Sequence, residues 1–151
     1  MAHLTDGTIG VDLTRTSSTP EFALGETHKG SDNTEWTYVQ ANGAITQYDA
    51  VGIDENFQAA ALTKALADAG HQIGFAQVAF TDNYYGWVAR TGSNSKCRLK
   101  NACAADVSLY TTASAGMLDD TDASQTKISG VVAVTISSAS GDDEEIIATY
   151  P

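Results

Sequence analysis

From Glu35 onward the chain consists of short β-forming segments separated by turn residues, and this pattern limits the folds open to it. Residues 35–40 alternate large apolar and polar side chains, as a half-buried strand does. The longest apolar β-forming run covers residues 131–136. That run belongs to a strand predicted within residues 127–137, and further strands are predicted within residues 49–54, 57–61, 73–80, 84–90, 101–112 and 144–150. About seven or eight short strands predict an all-β domain, either a small β-barrel or a β-sandwich.

Residues 62–70 break the β pattern. Leu62 and Leu66 are four residues apart, and alanine dominates the segment. Thr63 is suited to cap a helix, and Gly70 is suited to end one. We therefore expect one short helix between Thr63 and Ala69.

Residues 1–33 show no sustained hydrophobic period and are rich in Thr, Ser, Gly and charged side chains. This composition predicts an extended N-terminal arm over residues 1–33 and a β-rich domain over residues 34–151. Phe22 and Leu24 form a short apolar island in the arm. They are candidate interface residues, because an arm that docks on a partner needs apolar area to bury.

The chain is strongly acidic, with 19 acidic against 8 basic residues and a formal net charge of -11. Such a surface repels phosphate backbones, so nucleic acid is not an expected partner. The N-terminus lacks a basic region followed by an apolar one, and no apolar run is long enough to cross a bilayer. We expect neither a secretion signal nor a membrane partner.

Four of the basic residues fall in one short stretch, at Arg90, Lys96, Arg98 and Lys100. Two interpretations stay open. The stretch is either a solvated loop that offsets the acidic ends of the chain or a patch that meets an acidic protein surface. All four residues are therefore candidate interface residues.

Cys97 and Cys103 are too few for a disulfide framework, and their spacing is not that of a C-x-x-C site. They are expected to be buried or free thiols, with a local disulfide closing a hairpin as the alternative. The acidic run over residues 119–122 offers oxygen ligands for Ca²⁺ or Mg²⁺ but lacks the glycine and terminal glutamate of an EF-hand. A solvated acidic loop is favoured there, and residues 141–145 are expected to form an exposed turn.

Nothing in the sequence indicates catalysis. The chain contains no nucleophile elbow, phosphate-binding loop or dinucleotide fingerprint. His3 and His28 lie in the predicted arm, and His71 follows the residue that ends the predicted helix. We expect no catalytic residues, no metal and no cofactor.

The aromatic run at residues 84–87 allows two uses. Strand alternation places Tyr85 and Trp87 on one face and Tyr84, Gly86 and Val88 on the other. Core packing is favoured for Trp87 and Trp36, and stacking on sugar rings or on a neighbouring subunit is the alternative.

Several segments together resemble a known family. They are Trp36-Thr37-Tyr38-Val39, residues 73–80, Tyr85-Gly86-Trp87-Val88, and Leu109-Tyr110-Thr111-Thr112 with Ala115-Gly116. They resemble the small capsid decoration, or cement, proteins encoded beside the major capsid protein of tailed bacteriophages. The resemblance spans roughly residues 24–150 and carries no active-site residues.

The resemblance implies a β-rich virion protein that binds the exterior of an icosahedral capsid and bridges neighbouring capsomers. Its implied partners are the phage major capsid protein and further copies of itself, with a trimer favoured over a dimer. The acidic surface suits the outer face of a shell, and an extended arm can pair with a neighbouring sheet edge. The alternative function is a surface adhesin or carbohydrate-binding β-sandwich module.

Overall fold

The computed structural model describes residues 4–5, 8–30, 33–139 and 142–148, and it confirms the all-β fold class. Strands make up 42% of the structure and helix 4%, which leaves helix a minor part of the architecture. The strands are β1 (Leu4–Thr5), β2 (Thr8–Ile9), β3 (Thr27–Lys29), β4 (Glu35–Ala41), β5 (Ala50–Ile53), β6 (Gln58–Ala61), β7 (Gln72–Phe75), β8 (Tyr85–Leu99), β9 (Ser108–Thr111), β10 (Leu118–Asp119), β11 (Lys127–Ala133) and β12 (Asp142–Ala148). The helix is α1 (Lys64–Asp68).

Five strands close into a barrel, in the order β4, β6, β5, β7 and β8 and back to β4. All neighbouring pairs are antiparallel except β4 and β6, which run parallel and pair Gln40 with Gln58 and Ala41 with Ala59. The apolar interior comes from residues 39–88 alone. The barrel form is therefore the correct one of the two predicted alternatives, and this unit supplies its own core.

A second curved sheet, the half-barrel, shares β8 with the first unit. The first part of β8 pairs with β4, and residues 92–99 pair with β12. Strands β12, β11, β9 and β10 then follow in order until Leu118 of β10 meets Leu99 of β8. One continuous 15-residue strand thus belongs to both units.

The half-barrel packs its apolar face on the outside of the first barrel. Its core combines Leu99, Leu109 and Ile146 with residues from the outward face of the first barrel, among them Ile73 and Phe75. Successive side chains in a strand point to opposite sides, so β7 and its neighbours have an apolar outward face as well as the face that lines the barrel interior. The two units therefore share one hydrophobic cluster.

The predicted helix is present. Thr63 caps it by accepting a hydrogen bond from Leu66 N at 3.4 Å. Lys64 forms an ion pair with Asp68, and both side chains contact Thr126 of the half-barrel. The helix therefore adds a polar contact between the two units.

Several predicted strands differ in length from those of the structure. The strand predicted at residues 73–80 ends at Phe75, and Phe80 forms only an isolated bridge with Ile45. The strand predicted at residues 127–137 ends at Ala133, where its pairing with β12 stops. The longest strand is instead β8, because two different sheets bind its two parts.

The segment expected to be an exposed turn at residues 141–145 is mostly strand, since β12 begins at Asp142. The register with β8 pairs Asp143 with Arg98 and Glu145 with Lys96. The prediction of a turn was wrong, because the segment pairs as a strand with β8, a partner distant in sequence that a local pattern does not show.

Candidate interaction surfaces

Residues 17–29, here called the strap, lie along the first barrel of their own chain. Ser17 exchanges two backbone hydrogen bonds with Tyr85, of 2.9 and 2.8 Å. Gly25 N donates to Tyr38 O at 2.9 Å, and β3 pairs with β4. The division into an arm over residues 1–33 and a domain over residues 34–151 stays a prediction, but part of the predicted arm contacts the domain.

An aromatic cluster lies beneath the strap. The register places Tyr38 opposite Trp87, on the barrel face away from the apolar interior. The Phe22 ring lies 5.3 Å from the Tyr38 ring and 5.2 Å from the Trp87 ring, both edge to face. The His28 ring lies 5.0 Å from Trp87. Trp87 is only 1% exposed, so its predicted packing role is confirmed.

The strap also has polar contacts with the barrel. Glu21 N donates to the Tyr38 hydroxyl at 3.1 Å, and the His28 and Glu26 side chains lie 3.0 Å apart. Burial raises the pKa of Tyr38 above its usual value, and the Glu21 charge acts in the same direction. Tyr38 is therefore held as a neutral phenol at the strap contact.

Two large apolar side chains are exposed among the described residues. Leu24 lies in the strap and is 38% exposed, and Ile136 follows β11 on the half-barrel and is 64% exposed. The sequence predicted Leu24 as an interface residue but placed Ile136 in the strand predicted over residues 127–137. Among the described residues, Leu24 is thus the exposed large apolar residue that lies against the first barrel, and Ile136 is the one that lies on the half-barrel.

The four candidate basic residues lie on β8 or directly after it, so the solvated-loop interpretation was wrong. The Arg98 guanidinium lies 2.6 Å from an Asp49 carboxylate oxygen, and the Asp49 side chain is 4% exposed. Arg90 donates to Gln72 at 2.6 Å and Lys100 donates to Ser114 at 3.1 Å. The Lys96 ammonium lies 5.6 Å from the centre of the Tyr48 ring. All four cations have partners within the chain, and their role as an interface stays a prediction.

The Asp49 ion pair lies where the two units meet. Asp49 also accepts a hydrogen bond from Thr46 N at 2.9 Å. Gly116, from the half-barrel, joins Ala50 and Leu62 by backbone hydrogen bonds of 2.9 Å each. A Cβ atom at position 116 would lie 2.4 Å from Asp49 Cγ, so only glycine fits this close approach.

Both cysteines are buried free thiols, as one of the two sequence interpretations predicted. Burial raises the pKa of Cys97 strongly. Burial, with the nearby Asp120 and Asp119 carboxylates, raises the pKa of Cys103 to about 11. Both are therefore thiols rather than thiolates at neutral pH.

The acidic run is only partly a solvated loop. Asp122 is exposed, but Asp119 belongs to β10 and, like Asp120, is half-buried. Asp120 accepts a hydrogen bond from Ala104 N at 2.9 Å. Ligating atoms of Cys103, Asp119 and Asp120 all lie within 4.8 Å of one another. The non-local pairing of β10 with β8 produces this cluster, which the sequence did not indicate.

The three histidines were predicted to be non-catalytic, and the structure describes two of them. His28 is in the strap, His71 is a half-buried residue after α1, and His3 lies outside the described residues. Within the described part of the chain, no helix is long and apolar enough to span a membrane.

Comparison of the chain with protein-family models, with curated proteins and with solved structures gave no match. Inference about function therefore depends on the two-unit architecture, the exposed residues on each unit and the charge of the chain. The resemblance to capsid decoration proteins stays a prediction from the sequence segments that carry it.

Proposed function

We propose that this chain is a structural virion protein that binds the outer surface of an icosahedral phage capsid and bridges neighbouring capsomers. The supporting observation is the fusion of two β-units through β8, with exposed Leu24 against the first unit and exposed Ile136 on the second. A bridging protein needs at least two contact surfaces held at a fixed distance. The two-unit body supports this proposal, because it holds one exposed large apolar residue against each unit.

The connection between the units suits a bridge. Strand β8 runs through both without interruption, and the units share one apolar cluster. The ion pair between Arg98 and the buried Asp49 carboxylate adds a polar link, and so do the backbone contacts of Gly116. Such a junction resists bending, so a displacement of one bound subunit is transmitted to its neighbour.

The charge and the exposed apolar residues support the location and the mode of binding. A formal charge of -11 favours the outer face of a capsid over the face that meets packaged DNA. Burying one apolar side chain contributes roughly 1.5–3 kcal/mol. Two such contacts on one rigid body bind more tightly than either alone, because the second forms at high effective concentration.

Oligomerisation belongs to the same proposal. A homo-oligomer, with a trimer favoured over a dimer, would multiply the contacts with the shell. Mass measurement of the purified protein and of protein released from capsids tests this assembly, and a monomer in both states would contradict it.

The carbohydrate-binding alternative loses its main supporting residue, because Trp87 is covered by Phe22 and His28 and is not available to stack on a sugar. Specific binding to a glycan array, with no binding to capsids, would restore this alternative.

Co-sedimentation with expanded shells of the major capsid protein tests the function. Wild-type protein is expected to bind, Leu24→Ser and Ile136→Ser each to bind more weakly, and the double variant most weakly. The matched controls are Ala23→Ser, next to Leu24 in the strap, and Ala123→Ser, an exposed position on the half-barrel. Equal binding by the double variant and the controls would contradict the proposed contact surfaces. Wild-type protein that does not bind expanded shells would contradict the function itself.

A further inference from the structure

Asn42 and Gly43 form a turn that the proposed function does not use. They follow directly after β4, and Asn42 is exposed. Gly43 has a φ of 103°, which glycine adopts readily, and the space where a Cβ atom would lie is open. This is the only Asn-Gly pair in the sequence. Because glycine has no side chain, its backbone nitrogen can reach the Asn42 side-chain amide without steric hindrance.

The Asp82 carboxylate holds this backbone nitrogen. Gly43 N donates to Asp82 Oδ1 at 2.7 Å, although the two residues are 39 positions apart. The turn that contains Asp82 is fixed beside β4 by two backbone hydrogen bonds, from Asn83 N to Ala41 O at 3.0 Å and from Ala41 N to Tyr84 O at 2.8 Å. The Gly43 bond is charge-assisted, and the negative charge beside the nitrogen opposes the loss of its proton.

We propose that Asn42 is a site of spontaneous deamidation and that the Asp82 carboxylate slows this reaction by holding the Gly43 N–H. In the reaction the Gly43 nitrogen gives its proton to solvent and attacks Asn42 Cγ. A bond forms between this nitrogen and Cγ, the Cγ–Nδ2 bond breaks, and ammonia leaves with a proton taken from solvent. Water then opens the cyclic imide at either carbonyl, which leaves aspartate or isoaspartate at position 42. This inference is independent of capsid binding.

Isoaspartate at position 42 would alter the closure of the first barrel. Asn42 N donates to Ala59 O at 2.8 Å, directly beyond the pairing of Ala41 with Ala59 that closes the ring between β4 and β6. In isoaspartate the main chain runs through the former side chain and is longer by one methylene group. The spacing between the hydrogen bonds to Ala59 and Asp82 therefore changes, and we expect the modified protein to melt at a lower temperature.

The test measures the rate of conversion at Asn42 in the full, folded chain during incubation at mildly alkaline pH. Tryptic digestion yields one peptide that covers residues 30–64, and mass spectrometry with fragmentation assigns the gain in mass to one asparagine. Enzymatic methylation measures the isoaspartate product. Asn56 in the same peptide is the internal reference, because it is also exposed but is followed by Phe57. Conversion is expected to be faster at Asn42 than at Asn56.

Substitutions of Asp82 test the protective hydrogen bond. Asp82→Ala removes the acceptor of the Gly43 N–H and is expected to accelerate conversion by roughly three- to tenfold, the factor that corresponds to the net contribution of one hydrogen bond. Asp82→Asn keeps an oxygen acceptor but removes the charge, so a smaller acceleration is expected. Asp122→Ala is the matched control, because it removes an exposed carboxylate on the half-barrel, and it is expected to convert at the wild-type rate.

Thermal melts show whether each variant is folded and whether conversion weakens the barrel. Adding Asn42→Ser to Asp82→Ala removes the reacting amide, so the double variant is expected to keep its melting temperature during the incubation while Asp82→Ala loses part of it. If Asp82→Ala does not fold, Asp82→Asn decides the matter, alone and with Asn42→Ser. The proposal is overturned if the folded Asp82 variants convert Asn42 at the wild-type rate or more slowly, if Asn42 converts no faster than Asn56, or if the double variant loses as much melting temperature as the single one.

Discussion

The first barrel and the half-barrel obtain their hydrophobic cores in different ways. The barrel interior is formed by residues 39–88 alone, and its ring closes by hydrogen-bonded pairing between β4 and β6. The half-barrel closes at one residue pair and completes its core with the outer face of β5, β7 and β8. The half-barrel therefore depends on the first barrel for its stability, whereas the barrel interior is self-contained.

The largest loss of stability is expected from substitution of Phe75, which belongs to the first barrel and packs in the core of the half-barrel. Phe75 is 0% exposed and lies in β7 of the barrel ring. Phe75→Ala should reduce the free energy of unfolding by about 3–5 kcal/mol, because it leaves a cavity between the units. Chemical denaturation measures this loss, and amide hydrogen exchange should show weaker protection in both units. Weakening confined to the first barrel would contradict the shared core.

A substitution inside the half-barrel should weaken the half-barrel and leave the first barrel folded. Ile146→Ala removes a fully buried side chain of β12 and should cost about 2–5 kcal/mol. Amide exchange should accelerate in β9, β11 and β12 while β5, β6 and β7 keep their protection, since local unfolding follows cooperative units. Uniform loss of protection would show that the two units unfold as one.

The strap residues Phe22 and Leu24 are expected to have different roles at the surface of the first barrel. Phe22 packs on Tyr38 and Trp87, so Phe22→Ser should cost about 1.5–3 kcal/mol of stability. Leu24 is exposed, so Leu24→Ser should change stability by less than about 0.5 kcal/mol and act on capsid binding instead. Thermal melts and co-sedimentation on both variants separate these roles, and equal loss of stability would contradict them.

A further, modest effect on stability concerns pH and the Tyr38 phenol. Its pKa is raised in the folded state, so the folded protein holds this proton more tightly than the unfolded chain. The associated stability is complete below the ordinary tyrosine pKa of about 10 and is lost as pH rises through the higher folded value. Tyr38→Phe should reduce the loss of stability at alkaline pH. It should cost about 1 kcal/mol at neutral pH, because Glu21 N loses its acceptor. An unchanged alkaline unfolding curve would contradict this role.

Local patterns in the sequence predicted much of the fold. Alternation placed Tyr85 and Trp87 on one face of their strand, and both rings contact Tyr38 in the structure. The Thr63 cap with the alanine-rich segment indicated α1. The continuity of β8 was missed, because residues 92–95 resemble a turn and are held extended by pairing with a second sheet. The β-propensity of a segment does not show whether the segment has such a non-local partner.

The candidate sites were less predictable for the same physical reason. Phe22 and Leu24 are close in sequence and similar in chemistry, yet one packs on Trp87 and the other is exposed. The approach of Cys103 to Asp119 depends on the meeting of β8 and β10. These arrangements follow from tertiary contacts, and neither residue spacing nor composition specifies them.

Cryo-electron microscopy of expanded capsids decorated with the purified protein tests directly whether the protein bridges neighbouring capsomers. We expect density on the outer surface, with the Leu24 surface of the first barrel and the Ile136 surface of the half-barrel contacting different capsid subunits. Capsids without added density, density on the inner face, or attachment of both units to a single subunit would contradict the account of this protein as a bridge.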